Sequence, residues 1–274
     1  MLLQDFPPSP ALMEYVRLYR LVRFLFSASD SIPFKPYPPR PEHCLSFYPR
    51  DTETIEYPNQ PTKINNIRSA LIGQHSVVTN RHVGKDFLVI QVIFQPGALF
   101  RLTGIPAYEL TNAYLDAETI FAKDIREVNA RLNSIDNYID MIKIVETFLY
   151  QLIAKNKKEY HAVDRIGNLM LQNVENTSLD WLAKESCLSS KQFERKFNER
   201  MGINPKYFAR IVKFDKAFRM KNRYPNLDWL SIAIDCGYCD YQHLAKSYKE
   251  FTGHSPSAFH RLGTPEENFG WSET

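Results

Sequence analysis

The sequence predicts an α+β chain in two parts. The first is a small β-barrel or sheet domain with helices. The second is an all-α domain of two helix-turn-helix units joined by a linker helix. Three observations carry this reading: β-branched runs between prolines in the first half, helical periodicity from about residue 117 onward, and a repeat of fifty-one residues in the second half.

With 274 residues, 44% of them hydrophobic and 24% charged, the composition is globular. It excludes a disordered chain, a collagen-like chain and a small disulfide scaffold. Residues 1–154 carry 15 Lys+Arg against 16 Asp+Glu, a sum of −1. Residues 155–262 carry 19 against 12, a sum of +7, and the last twelve residues add three Glu. A neutral half joined to a basic half points to a polyanionic partner for the second half.

In the first half, residues 12–26 read as helix running into strand. Residues 44–48 read as a strand, and so do residues 69–79, bent at Gly73. Residues 87–94 form the clearest strand, stopped by Gln95-Pro96-Gly97. Residues 117–133 and 137–155 read as helices. In the second of these, Ile139, Ile142, Val145, Phe148, Leu149 and Leu152 make one stripe. A polar stretch at 156–159 divides a sensor or dimerisation domain (1–155) from a helical domain (160–262), and 263–274 reads as an acidic flexible tail.

The repeat sets Phe193, Phe197, Gly202, Pro205 and Phe208 against Leu244, Tyr248, Gly253, Pro256 and Phe259. Ala183 pairs with Ala233 at an offset of fifty, so the second turn holds one extra residue. Each unit is a short helix (179–186 or 230–236), a tight turn, and a longer helix, Ser190–Met201 or Tyr241–Thr252. A glycine with positive φ should close the longer helix, and Asn-Pro or Ser-Pro should start the next. This is helix-turn-helix geometry. The linker, Pro205–Arg223, spans roughly 28 Å, near the ~34 Å of one duplex turn. The two longer helices therefore suit successive major-groove segments of double-stranded DNA, and one chain would read an asymmetric site. Ser189, Ser190, Lys191, Gln192, Glu194, Arg195 and Asn198 form the expected DNA-binding set of the first unit. Asp240, Tyr241, Gln242, His243 and Lys246 form that of the second. Gln, Arg and Lys reach base edges, and Tyr packs on a thymine methyl or reaches a phosphate. Asp215, in the apolar linker, is expected to be solvated or paired.

Other chemistry finds little support. Cys236 and Cys239 form one C-x-x-C with no second pair, and His243 with Cys187 makes a poor fourth-ligand set, so no metal is expected. His43, His75 and His82 lack the spacing of a cupin metal site. No Gly-rich phosphate loop or G-x-S-x-G elbow occurs. Cys44 beside His43 is the one close nucleophile–base pair, and neighbours in a strand face opposite ways. The Gln95-Pro96-Gly97 turn exposes backbone donors that would suit a pocket border but reads as a plain turn, and the polar Arg68, Gln91 and Gln95 are assigned to no ligand. No cofactor is expected, and the chain reads as no enzyme. A catalytic first domain targeted to DNA, or a basic module binding an acidic protein, are the alternatives. The first ten residues do not read as a secretory leader, and apolar runs are of strand length, so the expectation is a cytoplasmic protein with no membrane partner.

Residues 179–262 resemble the DNA-binding domain of AraC-family transcriptional regulators. The resemblance rests on Leu182-Ala183, Leu188-Ser189, Phe193, Arg195, Phe197 and Gly202-Ile203-Asn204-Pro205-Lys206-Tyr207. It continues through Ile232-Ala233, Cys236-Gly237-Tyr238, His243-Leu244, Lys246, Tyr248 and Phe251-Thr252-Gly253-His254-Ser255-Pro256. It implies promoter DNA and RNA polymerase as partners in a bacterial activator or repressor, with base contacts from Lys191, Glu194, Arg195, Tyr241, Gln242 and Lys246. Cys187 departs from the pattern, standing where the family often has glycine. Glu194, Lys246, Tyr241 and Leu244 depart too, which alters the expected sequence preference. Residues 5–150, through Val92-Ile93-Phe94-Gln95-Pro96-Gly97-Ala98 and Leu110-Thr111-Asn112, are similar to a variant regulatory domain attached to such regulators. This implies a cupin-like β barrel that takes a small-molecule effector or forms a homodimer.

Overall fold

The computed structural model describes residues 2–30, 32, 35–58, 61, 63–155, 158–172 and 178–262. The 263–274 tail and part of the 156–159 boundary lie outside the described residues. In the first domain the strands are β1 (Leu2–Phe6), β2 (Val16–Leu25), β3 (Lys35–Tyr37), β4 (Cys44–Phe47) and β5 (Glu53–Glu56). Then come β6 (Lys63–Ile64), β7 (Ser69–Ile72), β8 (Thr79–Val83) and β9 (Asp86–Phe94). α1 (Ala98–Thr103), a 3-10 turn (Ala107–Leu110), β10 (Tyr114–Asp116), α2 (Glu118–Asn133) and α3 (Tyr138–Lys155) complete it.

Two antiparallel sheets form, in the orders β1-β2-β9-β4-β7-β10 and β3-β8-β5-β6. The expected barrel is not closed; the sheets are separate layers. β9 lies inside the larger sheet, paired with β2 from Val16↔Phe94 to Leu25↔Asp86 and with β4 at Cys44↔Ile93. Its apolar run, broken only by Gln91, now has a reason. Leu88, Ile90, Val92 and Phe94 face a core shared with α2 and α3, whereas Phe87, Val89 and Ile93 face the core between the sheets. A strand covered on both faces needs no polar alternation.

Three expectations in this domain are corrected. Residues 12–26 hold no α-helix but a 3-10 turn at Pro10–Leu12 and then β2. Residues 69–79 are not one bent strand; β7 ends at Ile72, and at Gly73 the Leu110 backbone lies too close for any Cβ. Ile139 is 49% exposed and lies off the buried stripe of α3, which runs through Met141, Ile142, Ile144, Val145, Phe148, Leu149 and Leu152.

The second domain is all helix: α4 (Ala162–Gln172), α5 (Leu179–Glu185), α6 (Ser190–Met201), α7 (Pro205–Arg223), α8 (Trp229–Asp235), α9 (Tyr241–Thr252) and α10 (Pro256–His260). One apolar core, from Val163 to Phe259, joins them. Asn204 caps α7, with Pro205 in its first turn, as the Asn-Pro step predicts.

Candidate nucleic-acid interface

The two units are built alike from their turns outward. In the first, Ser178 caps α5, and Leu188 N–H donates back to Ala183 O at 3.0 Å. In the second, Asp228 caps α8, and Tyr238 N–H donates to Ala233 O at 2.9 Å. Ala183 and Ala233 are buried at these crossings. The turn demands one left-handed residue: Gly237 at φ +74° and Cys187 at φ +55°. The longer helices end at Gly202 and Gly253, with φ of +84° and +77°.

Phe193 and Phe197 hold the inward face of α6, and Phe197 meets Phe208 of α7 edge-on at 5.4 Å. Leu244 and Tyr248 hold that of α9. Of the expected DNA-binding residues, Lys191, Gln192, Glu194 and Arg195 are exposed on α6, with Asn198 half-buried beside them. Gln242, His243 and Lys246 are exposed on α9, with Tyr241 half-buried. Lys191, Glu194, Arg195 and Asn198 line an open groove of about 550 Å³ that continues over Ile203, Asn204 and Tyr207.

Ser189, Gln192 and Asp240 have structural work as well. Ser189 and Gln192 close a capping box at the start of α6, and Asp240 accepts from His243 N–H at 2.7 Å. Ser190 Oγ donates to Asp180 at 2.9 Å. Cys236 is buried and Cys239 exposed, and the His243 ring packs edge-on against Tyr238 at 5.1 Å. Among the described residues no three His, Cys, Asp or Glu side chains gather as a metal set. Burial pushes the Cys44 thiol up to about 12, and His43 hydrogen-bonds the Met201 carbonyl oxygen at 3.2 Å. That pair is therefore not poised as nucleophile and base. Gln91 and Gln95 are spent on Ser46 and Met13 O, and Arg68 on Arg50 O.

The junction between the domains escaped the sequence reading. Arg200 of α6 makes a bidentate bond to Asp164 of α4, at 2.5 and 2.6 Å, with both groups buried. Asp164 in turn packs on Gly97 so closely that a Cβ there would overlap its carboxylate, and Gly167 packs on Pro96 and Met201. Arg17, Arg20 and Arg219 surround Glu42 at 2.8, 3.1 and 3.4 Å. Asp215 is buried and paired, with Arg219 at 2.8 Å and Arg40 at 3.4 Å. Burial alone would raise the Glu42 carboxyl, but Arg20, Arg40, Arg17 and Arg219 together outweigh it and hold it well below the carboxylate range. Beside this cluster is a cleft of about 450 Å³ lined by residues of both domains, including Arg17, Gln95, Asn168, Lys216 and Arg219. Such ion pairs join residues far apart in sequence, so no local pattern announces them.

The family described as a helix-turn-helix domain matches residues 182–262, which takes in α6 and α9. Residues 182–262 belong to that helix-turn-helix family. Residues 4–116 match a domain of unknown function (DUF6597). The chain is similar in fold to ToxT from Vibrio cholerae, with 12% identity over 90% of this chain and 98% of that one and a TM-score of 0.50. An apo variant of ToxT from strain SCE256 shares 10% identity over 90% and 98% of the two chains, with a TM-score of 0.51. An AraC-type transcriptional regulator from Chromobacterium violaceum shares 22% identity over 36% of this chain and 89% of its own, with a TM-score of 0.33. No curated protein sequence matches the chain. No helix among the described residues is long and apolar enough to cross a membrane.

Proposed function

We propose that the chain binds promoter DNA sequence-specifically, with α6 and α9 entering two successive major-groove segments. The observation that carries this reading is the duplicated unit itself. Two helices of equal length present Lys191, Glu194, Arg195 and Asn198, and then Tyr241, Gln242, His243 and Lys246, on a segment of net charge +7. Phosphate contacts hold the register, and these side chains read base edges. Glu194 accepts from cytosine N4, and Lys246 supplies charge without the rigid fork of arginine.

As a regulator, the chain acts on RNA polymerase at the promoter. Its first domain answers to a small acidic effector in the arginine-lined cleft between the domains, or to pairing of two copies through α3, which exposes Ile139 and Tyr150. The protein works in the cytoplasm and carries out no catalysis.

Footprinting of the full chain on a selected duplex should protect about 18–20 base pairs, with log affinity falling linearly in log salt. Protection of random DNA to the same degree would overturn the reading. Arg195→Ala should weaken a selected site by roughly 1–3 kcal/mol and relax preference at one position. A loss equal on all sequences would make Arg195 a phosphate contact.

A further inference from the structure

The two units are near-copies, so their differences are informative, and one lies at the end of the longer helix. The last carbonyls of a helix have no partner within it and must be satisfied from outside. In the second unit the Gly253 carbonyl is satisfied locally, because Lys249 Nζ donates to it at 2.7 Å. A Cβ on Gly253 would meet nothing within 4 Å. In the first unit the first domain does it. His43 bonds Met201 O at 3.2 Å, and Thr111 Oγ1 donates to Gly202 O at 2.7 Å. Burial keeps the His43 ring neutral, its pKa lowered to about 4, so Nε2 bears the hydrogen that Met201 O accepts.

A Cβ on Gly202 would lie 2.9 Å from Ala107 O and from Thr111 Oγ1. The residue before each helix end differs as well. Arg200 of α6 reaches into α4, which packs on the 95–97 turn that ends β9. α9 instead packs on α7, α8 and α10.

We propose that the first domain acts on DNA through α6, with His43 and Thr111 as the positioning residues that seat its last turn, while α9 reads its own segment independently of that seat. The inference rests on the DNA-binding reading above. A change in the first domain then alters occupancy of one groove segment and leaves the other. Partial occupancy becomes the regulated quantity, rather than binding of the whole chain.

The test uses the full chain carrying His43→Leu and Thr111→Val together, with the isosteric Thr111→Val alone as the milder variant. Hydrogen exchange without DNA should quicken about tenfold in the last turn of α6 and stay within twofold in α9. Hydroxyl-radical footprinting on a selected duplex should show the α6 segment losing about tenfold in occupancy, with the α9 segment within twofold. Equal losses on both segments, or loss on neither, would overturn the proposal. A merely destabilising change would lower both together. A wild-type chain that protects no duplex sequence, while its exchange pattern behaves as stated, would overturn the DNA-binding reading and this proposal's functional half with it.

Discussion

Gly202 and Gly253 share a backbone conformation, which makes them a matched pair. Alanine at Gly253 should cost only the left-handed strain, about 1 kcal/mol. Alanine at Gly202 should cost the same strain plus a clash with the Ala107 carbonyl, about 2–4 kcal/mol in all. Urea unfolding of the two variants measures the difference, and equal midpoints would mean that the first domain does not press on α6. Cys187 offers the reverse case. It holds φ +55° where the second unit has Gly237 at +74°, so Cys187→Gly should stabilise by roughly 0.5–1 kcal/mol. An unchanged or lower melting temperature would refute that. The glycines were legible in the sequence as helix stops, because a C′ position needs positive φ wherever it occurs. That one of them lies against another domain was not, since nothing local distinguishes Gly202 from Gly253.

Among the elements, α6, α7 and α9 fall where caps and periodicity place them, because Ser189, Asn204 and Asp240 each start a helix with side-chain chemistry that works within four residues. The strands of the smaller sheet, β3, β5, β6 and β8, are two to five residues long and polar on one side, too short for a pattern to stand out. Residues 12–26 misled because aromatic and apolar side chains crowd both faces of β2, whose partners β1 and β9 are far from it in sequence order or separated by turns. What anchors α6 to α4 is the buried Arg200–Asp164 pair. Asp164→Ala leaves Arg200 charged and unpaired in the interior, so it should destabilise by about 3–5 kcal/mol. Replacing both members with apolar residues should recover much of that. A loss below ~1 kcal/mol for the single change, read from urea denaturation, would show the pair to be solvated.

For the molecule as a whole, acid is the informative stress. His43 and His75 are 6% and 7% exposed, and burial lowers their pKa values to about 4 and about 3; Arg81 and His43 add to the effect at His75. The unfolded chain binds protons on both from about pH 6.5 downward, and the folded chain does not. Stability therefore falls as pH falls through that window, by up to about 3 kcal/mol for each ring once pH 4 is reached. Glu42 works in the same direction only at lower pH, since its carboxyl is held below the usual range and its pairing is lost as it protonates. Melting temperatures at pH 7, 6, 5 and 4 should drop steadily, and His75→Phe should flatten the slope. A profile indifferent to pH across that range would show both rings to be hydrated.

The docking of the first domain beside α6 would also give a DNA-bound chain a polarity. On the proposed reading, one chain on two unlike segments has no twofold axis, so its site would have a head and a tail. The first domain would overhang the head, because its contacts run to the end of α6 and to α7. Inverting a site within a promoter would carry that domain to the opposite flank without altering a single base contact. Orientation, as much as sequence, would then decide which neighbouring protein the first domain meets.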